Sequence, residues 1–362
     1  MLFDTPNHSH RANLSLVDIQ MVAYRSGQSR KKEIAMRKGN VRAAAVGLCV
    51  LSVQAMSPAQ AASPPGNETS WINWSWTRHI VFQAGIGHMS GSANELSYDP
   101  TTHRMLSELH WQVNDAAVLK GKADIGITDW LSAGISGWTA IASDNVMDDY
   151  DWNLAPYNQW SDHSHHPDTR LPTAWQGAMD LQARIYHHDG VSLSAIGGYQ
   201  WTYFKWAAYG GSYTYSVQGF RDVSGSFPAN QLDSTYAQSF SAAFLGISGS
   251  YALDNRWQLG AELKGSPWAI TASDQDHHVL RQLIYWDKFG QSHLWSIRGA
   301  VSYRIDAHVW IEGSLKYQAY TLGKGPTLVL DQTTGTTTQF TGAASGTQNQ
   351  MLTLYAGLRY AI

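Results

Sequence analysis

Near the C-terminus apolar side chains fall on every second position. Leu352, Leu354, Ala356, Leu358, Tyr360 and Ile362 share one face of an extended chain, and Thr353, Gly357 and Arg359 share the other. Trp257, Leu259, Ala261 and Leu263 alternate in the same way with Gln258, Gly260, Glu262 and Lys264, and Leu131, Ala133 and Ile135 with Ser132, Gly134 and Ser136. Successive side chains of a strand point to opposite faces, so a period of two predicts strands with one apolar face. A soluble β-sandwich has the same local pattern. Turn spacing separates the two: tight polar turns at Thr128-Asp129-Trp130, His188-Asp189-Gly190, Leu253-Asp254-Asn255 and Arg304-Ile305-Asp306-Ala307 recur about every 50 to 65 residues, with longer stretches between them. Outer-membrane barrels alternate short periplasmic turns with long extracellular loops in this way. The expected fold is all-β, a ten-stranded antiparallel transmembrane β-barrel. Its strands are expected at 78 to 96, 103 to 127, 131 to 148, 172 to 187, 191 to 209, 235 to 253, 256 to 277, 282 to 304, 308 to 330 and 349 to 362. Strands of ~20 residues, at ~3.3 Å per residue and ~45° tilt, climb ~45 Å, well beyond an apolar band of ~25 Å. The excess must stand in water.

Composition supports this reading. Sixteen Trp and eighteen Tyr in a Gly-rich chain of 362 residues suit the aromatic girdles of a barrel, and no segment approaches the 18 consecutive apolar residues of a spanning helix. Residues 1 to 61 read as an N-terminal extension and secretory signal. Met36-Arg37-Lys38 begins a basic region, Ala43 to Met56 is apolar, and Ala59-Gln60-Ala61 is an A-x-A cleavage site. Residues 62 to 77 then form a periplasmic segment and 78 to 362 the barrel, with Trp71, Trp74 and Trp76 as rim anchors. Removal of the signal takes away the single cysteine, Cys49, and leaves 17 Lys+Arg against 25 Asp+Glu. No disulfide is then available, and an acidic body argues against nucleic acid and suits basic substrates. Asn67-Glu68-Thr69 matches a glycosylation sequon and is read as chance.

Two acidic groups lie toward the loop ends of the expected strands. Asp274, Asp276 and His278 recur at every second residue, so they line one face, and a carboxylate beside an imidazole is the core of a general base. Parity from Gln258 and Glu262 keeps them in the lumen if no bulge intervenes, and Glu95 shares the parity of Gln83 and Gly87. Asp149 and Asp151 carry the parity of lipid-facing Leu131 and Ile135, so a bulge or a strand end must precede them. A metal at His163, His165, His166, His277 and His278 is disfavoured, because no cysteine or HExxH spacing supports zinc.

Nine short motifs, in order along the chain, resemble the omptins, outer-membrane proteases of Gram-negative bacteria. They include Ser90-Gly91 with Glu95, Gly137-Trp138-Thr139, Asp149-Tyr150-Asp151-Trp152, Trp160-Ser161-Asp162, His166-Pro167-Asp168-Thr169 and Ser273-Asp274-Gln275-Asp276-His277-His278. The resemblance implies an active-site groove at the extracellular mouth. There Asp276 and His278 act as a dyad facing the pair Asp149 and Asp151, and the water between them attacks the scissile carbonyl. It further implies that Glu95 and Asp274 hold a P1 arginine or lysine and that Asp162 serves the P1′ side. No metal or cofactor is implied. Lipopolysaccharide, which the family binds through basic residues, is the candidate activator. Tyr203 and Ser239 stand where two of those arginines are expected, Trp201 replaces an acidic partner, and Lys205 is the nearby cation.

The expected function is a monomeric endopeptidase cutting basic peptides or proteins, preferably at dibasic sites. The rival reading is a catalytically silent barrel acting as a surface adhesin or receptor. A porin is disfavoured, since ten strands enclose a narrow lumen filled by side chains such as Glu262 and Lys264.

Overall fold

A computed structural model describes residues 80 to 154, 157 to 278 and 282 to 362. The expected signal and periplasmic segment, with Asn67 and the three tryptophans, lie outside the described residues. Twelve strands follow in chain order: β1 (Ile80–Tyr98), β2 (Met105–Gly126), β3 (Leu131–Asp151), β4 (Asp162–His188), β5 (Val191–Tyr209), β6 (Ser212–Tyr215), β7 (Val223–Ser226), β8 (Leu232–Ala252), β9 (Trp257–His277), β10 (Leu283–Arg304), β11 (Val309–Asp331) and β12 (Thr336–Ala361). Ten of them close an antiparallel barrel. β5 pairs with β8, and β12 returns to β1 from Val81 opposite Ala361 to Ser97 opposite Ser345. β6 and β7 form a hairpin on the upper edge of β4, with His163 opposite Thr214.

The expected tight turns close the lower end by local hydrogen bonding. Asp254 Oδ1 accepts the amides of Arg256 and Trp257, each at 2.7 Å, and Asp306 Oδ1 accepts those of His308 and Val309. Asp189 and Gly190 both have positive φ, 46° and 77°, as a two-residue turn matching the strand twist requires.

Two strands outrun their expected limits. β4 begins at Asp162 rather than 172, and β12 at Thr336 rather than 349. Both extensions are rich in Thr, Ser, His and Gln. They rise above the lipid, where neither face needs to be apolar, so the alternation that marks the lower barrel is absent there.

Exposed Ile86, Ile135, Met179, Ile247, Ile297 and Leu354 belong to an apolar belt around the lower barrel, with Trp130, Trp257 and Tyr360 near its edge. Above it the outer face turns polar. His88 meets Asp115 at 2.9 Å and His110 meets Glu108 at 3.1 Å. The lumen is layered. Its lower part is a cavity of about 260 Å³ lined by Lys120, Lys122, Asp124, Glu262, Lys264 and Arg298, where Lys122 bonds Asp124 at 3.0 Å and Arg298 bonds Glu312. Above it, buried Met89, Trp111, Phe204, Trp206, Tyr236 and Met351 fill the barrel, Trp111 stacking on Tyr236 at 5.5 Å and Phe204 on Trp206 at 5.2 Å. This layer is the floor of the upper mouth.

Candidate active site

Glu95 stands on β1 as parity predicts, facing inward above the aromatic floor and only 3% exposed. Asp149 and Asp151 reach the same side because β3 bulges as required. Val118 pairs with Ala140 but Ala117 with Ala142, which inserts Ile141 and turns the odd-numbered residues above it inward. Asn145 and Met147 are accordingly buried and Asp151 is 2% exposed. The hydroxyl of Ser107 donates to Asp149 Oδ1 at 3.3 Å.

Asp162 lies one residue past the 152–161 loop, and its carboxylate ties that loop together. Oδ2 accepts from Ser161 Oγ at 2.6 Å and Asn153 Nδ2 at 3.2 Å, and Oδ1 accepts the amide of Ser216 at 2.9 Å. Burial pushes its pKa above the usual carboxylate range despite these bonds, and the charge of Asp151 adds to the rise.

The third group is placed otherwise than parity predicts. A second bulge at Ser266–Ala269 interrupts β9, since Leu245 pairs with Gly265 but Ala242 with Ala269. Pro267 and Trp268 are consecutive exposed residues, and the inward register changes from even to odd. Thr271, Ser273, Gln275 and His277 are therefore buried, while Asp274, Asp276 and His278 look outward. Asp274 shares a row with Lys205 across Ala237, and Lys205 lowers a pKa that burial and then Asp276 raise. His278 has its amide on the Asp233 carbonyl at 2.7 Å and Nε2 3.4 Å from the Thr235 hydroxyl. The structure thus gathers Glu95, Asp149 and Asp151 at one mouth and does not turn Asp276 and His278 toward them. Asp274 is still near enough for its charge to raise the pKa of Glu95.

Groups that the sequence did not single out for catalysis or substrate binding face this mouth instead. His277 is inward and meets Tyr285 edge-on at 5.7 Å. Asp287 of β10 is 4% exposed and accepts a hydrogen bond from Ser273 Oγ at 3.0 Å. Burial pushes its carboxyl up to about 6, although the Thr327, Ser273 and Ser345 hydroxyls oppose the rise. Glu95 is likewise raised well above the usual carboxylate range, by burial first, then by the charges of Asp287 and Asp149. Asp287 was hidden because the lower half of β10 faces inward at even positions. The pairings Ser292 with Ala269 and Phe289 with Thr271 place an irregularity at Gly290 and Gln291 that reverses this.

The remaining histidines are held apart. His163 and His165 share Asp148 Oδ1 at 3.0 and 2.9 Å, while His166 turns inward to Ser164 at 2.9 Å and stacks on Phe227. Among the described residues no set of three or more His, Cys, Asp or Glu side chains has metal-binding geometry. On the outer wall Tyr203 stacks with Trp175, Trp201 packs against Tyr199, and the Ser239 hydroxyl bonds the Ala272 carbonyl.

A closed barrel with an apolar belt, a plugged lumen and a carboxylate-lined mouth defines an outer-membrane protein with a site open to the medium, not a channel. Residues 76 to 362 match the omptin family. The chain is 32% identical over 278 residues to the plasminogen activator of Yersinia pestis, covering 76% of this chain and 88% of that one. It is 32% identical over 287 residues to the outer membrane protease OmpP of Escherichia coli, covering 78% and 90%. The crystal structure of outer membrane protease OmpT from E. coli superposes with a TM-score of 0.75 at 28% identity, over 78% of this chain and 97% of that one. The chain belongs to the omptin family and is an outer-membrane protease.

Proposed function

We propose that the protein is an endopeptidase cutting at arginine or lysine, preferably between two basic residues, by direct attack of an activated water. The observation that carries this is the inward convergence of Glu95, Asp149, Asp151 and Asp287 at the mouth, in a chain whose motifs follow the omptin order. Carboxylates held in a desolvated mouth attract a guanidinium or ammonium and fix it by charge-assisted hydrogen bonds. On this reading the general base is His278, oriented by Asp276, and Asp149 with Asp151 position the water, in the manner of an aspartate- and histidine-dependent protease. Glu95 and Asp274 serve the P1 side chain and Asp162 the P1′ side. Presenting Asp276 and His278 to the groove takes a one-residue slide of upper β9, which exchanges the two faces of a strand. Lipopolysaccharide is proposed as a partner of the outer wall and not as an obligatory activator, given Tyr203, Ser239 and Trp201 there. The working unit is proposed to be a monomer.

The outward position of Asp276 and His278 favours a rival assignment of the base, to the inward His277. One experiment decides between them. The refolded barrel is given a fluorogenic Arg-Arg peptide, with and without lipopolysaccharide, beside Asp276→Asn, His278→Ala and His277→Ala. Cleavage between the arginines that is lost in Asp276→Asn and His278→Ala and kept in His277→Ala supports the dyad. Loss in His277→Ala alone transfers the base to the imidazole that already faces inward. No cleavage by folded wild type overturns the proposed basic-site specificity.

A further inference from the structure

The lower lumen carries a charge pattern that the chemistry of the upper mouth does not use. Its cavity of about 260 Å³ is lined by six cations, Lys120, Lys122, Lys264, Lys316, Arg298 and Arg359, against four acids, Asp124, Asp180, Glu262 and Glu312. The acids already have partners. Lys122 bonds Asp124 at 3.0 Å, Arg298 bonds Glu312, Lys264 reaches Glu262 at 3.9 Å, and Asp180 accepts from Gln182 at 2.9 Å. Two lysines are left over. Lys120 lies over the ring of Tyr355 at 4.7 Å, and Lys316 makes no hydrogen bond or ion pair among the described residues. The register sets Lys316 directly beside Arg298, with Glu262 on the far side of that arginine. Arg298 Nε is itself a buried donor with no acceptor.

Desolvated ammonium groups without a counter-charge are costly, and an anion between them removes that cost. The aromatic layer stands between this cavity and the upper mouth. On the other side a second cavity of about 280 Å³ shares Lys122, Glu262, Arg298 and Arg359 with the first. It adds Arg184, Arg256 and Arg304 against one further acid, Asp254. A passage lined by an excess of one sign gathers ions of the other. A tetrahedral oxyanion has acceptors enough for both lysines and the arginine at once. We infer that the lower lumen is a binding site for a small multivalent oxyanion of the phosphate or sulfate class, entering from the periplasmic end and held by Lys120, Lys316 and Arg298. The site is independent of the proteolytic chemistry above it.

The test uses the refolded barrel in a zwitterionic detergent. Inorganic phosphate is titrated at constant ionic strength, with broadening of its phosphorus resonance as the measure of binding and the urea midpoint followed in parallel. Wild type should show saturable broadening that sulfate competes away and chloride does not, and a midpoint that climbs with phosphate. Lys120→Met and Lys316→Met should each weaken phosphate binding roughly 10-fold or more, while Lys316→Arg, which keeps the charge, should retain it. Lys288→Met, at an exposed lysine of upper β10, should bind as wild type does. Without phosphate the two Met variants should unfold at no lower urea than wild type, because each loses an uncompensated charge. Absence of saturable binding to folded wild type overturns the site, whether or not the variants fold. Equal affinity in wild type and both Met variants, or loss in Lys288→Met, puts the phosphate on the outer surface and overturns it as well.

Discussion

Asp287 illustrates how one buried acid couples stability to pH. Its carboxyl titrates near 6 in the folded barrel, against about 4 in an unfolded chain. At low pH it is protonated in both states and costs nothing. As pH rises from about 4 the unfolded chain ionises first, so the folded state loses stability until about pH 6 and the loss is constant above that. A rise of this size corresponds to roughly 3 kcal/mol. Asp287→Asn should therefore raise the urea midpoint at pH 8 and hardly change it at pH 4, which denaturant titrations at the two values would check. Glu95 on β1 and Asp149 on β3 face the same space, and Glu95 shifts in the same direction. The remaining dependence in that variant belongs to them.

At the scale of the strand, what the sequence revealed and what it concealed follow from where lipid is. β1, β5 and the lower halves of β8 to β12 were legible because one face meets hydrocarbon and must be apolar, and the tight turns because Asp, Asn and Gly close them. The upper parts of β4 and β12 have water on one side and a polar mouth on the other, so no period marks them. Bulges are the second concealed feature. That at Ile141 could be inferred, since Asp149 has the parity of Ile135 and a charge does not face lipid. That at Ser266–Ala269 left no such contradiction, because the residues above it are polar on both faces. Two outcomes are expected here. Cysteines placed singly at Asp274 or His278 should react rapidly with a hydrophilic maleimide on unliganded barrel, and one at Gln275 slowly; equal rates would contradict the register of upper β9. Ile297→Arg, in the belt of β10, should destabilise folding by about 2–4 kcal/mol in urea titrations in bilayers.

Across the whole molecule, the ring brings chemistry to one place from strands distant in sequence. Glu95 and Asp287 are separated by most of the chain and meet only because β12 returns to β1. Nothing in the local sequence of β10 announces this, whereas the motif at Asp149 and Asp151 is local and was read directly. The layer of Trp111, Phe204, Trp206 and Tyr236 makes the lumen a closed column. Purified barrel in planar bilayers should show no stepwise ion current, and a steady open conductance would contradict the plug.

That plug also decides which side of the membrane the site answers to. The aromatic layer stands between Glu95, Asp149 and Asp287 and the lower lumen, so their charge is set from the side of the upper mouth and not from the periplasm. A bacterium moving from a neutral to an acidic habitat would find the charge at the mouth of this surface enzyme changed at once, without any signal passing through the cell.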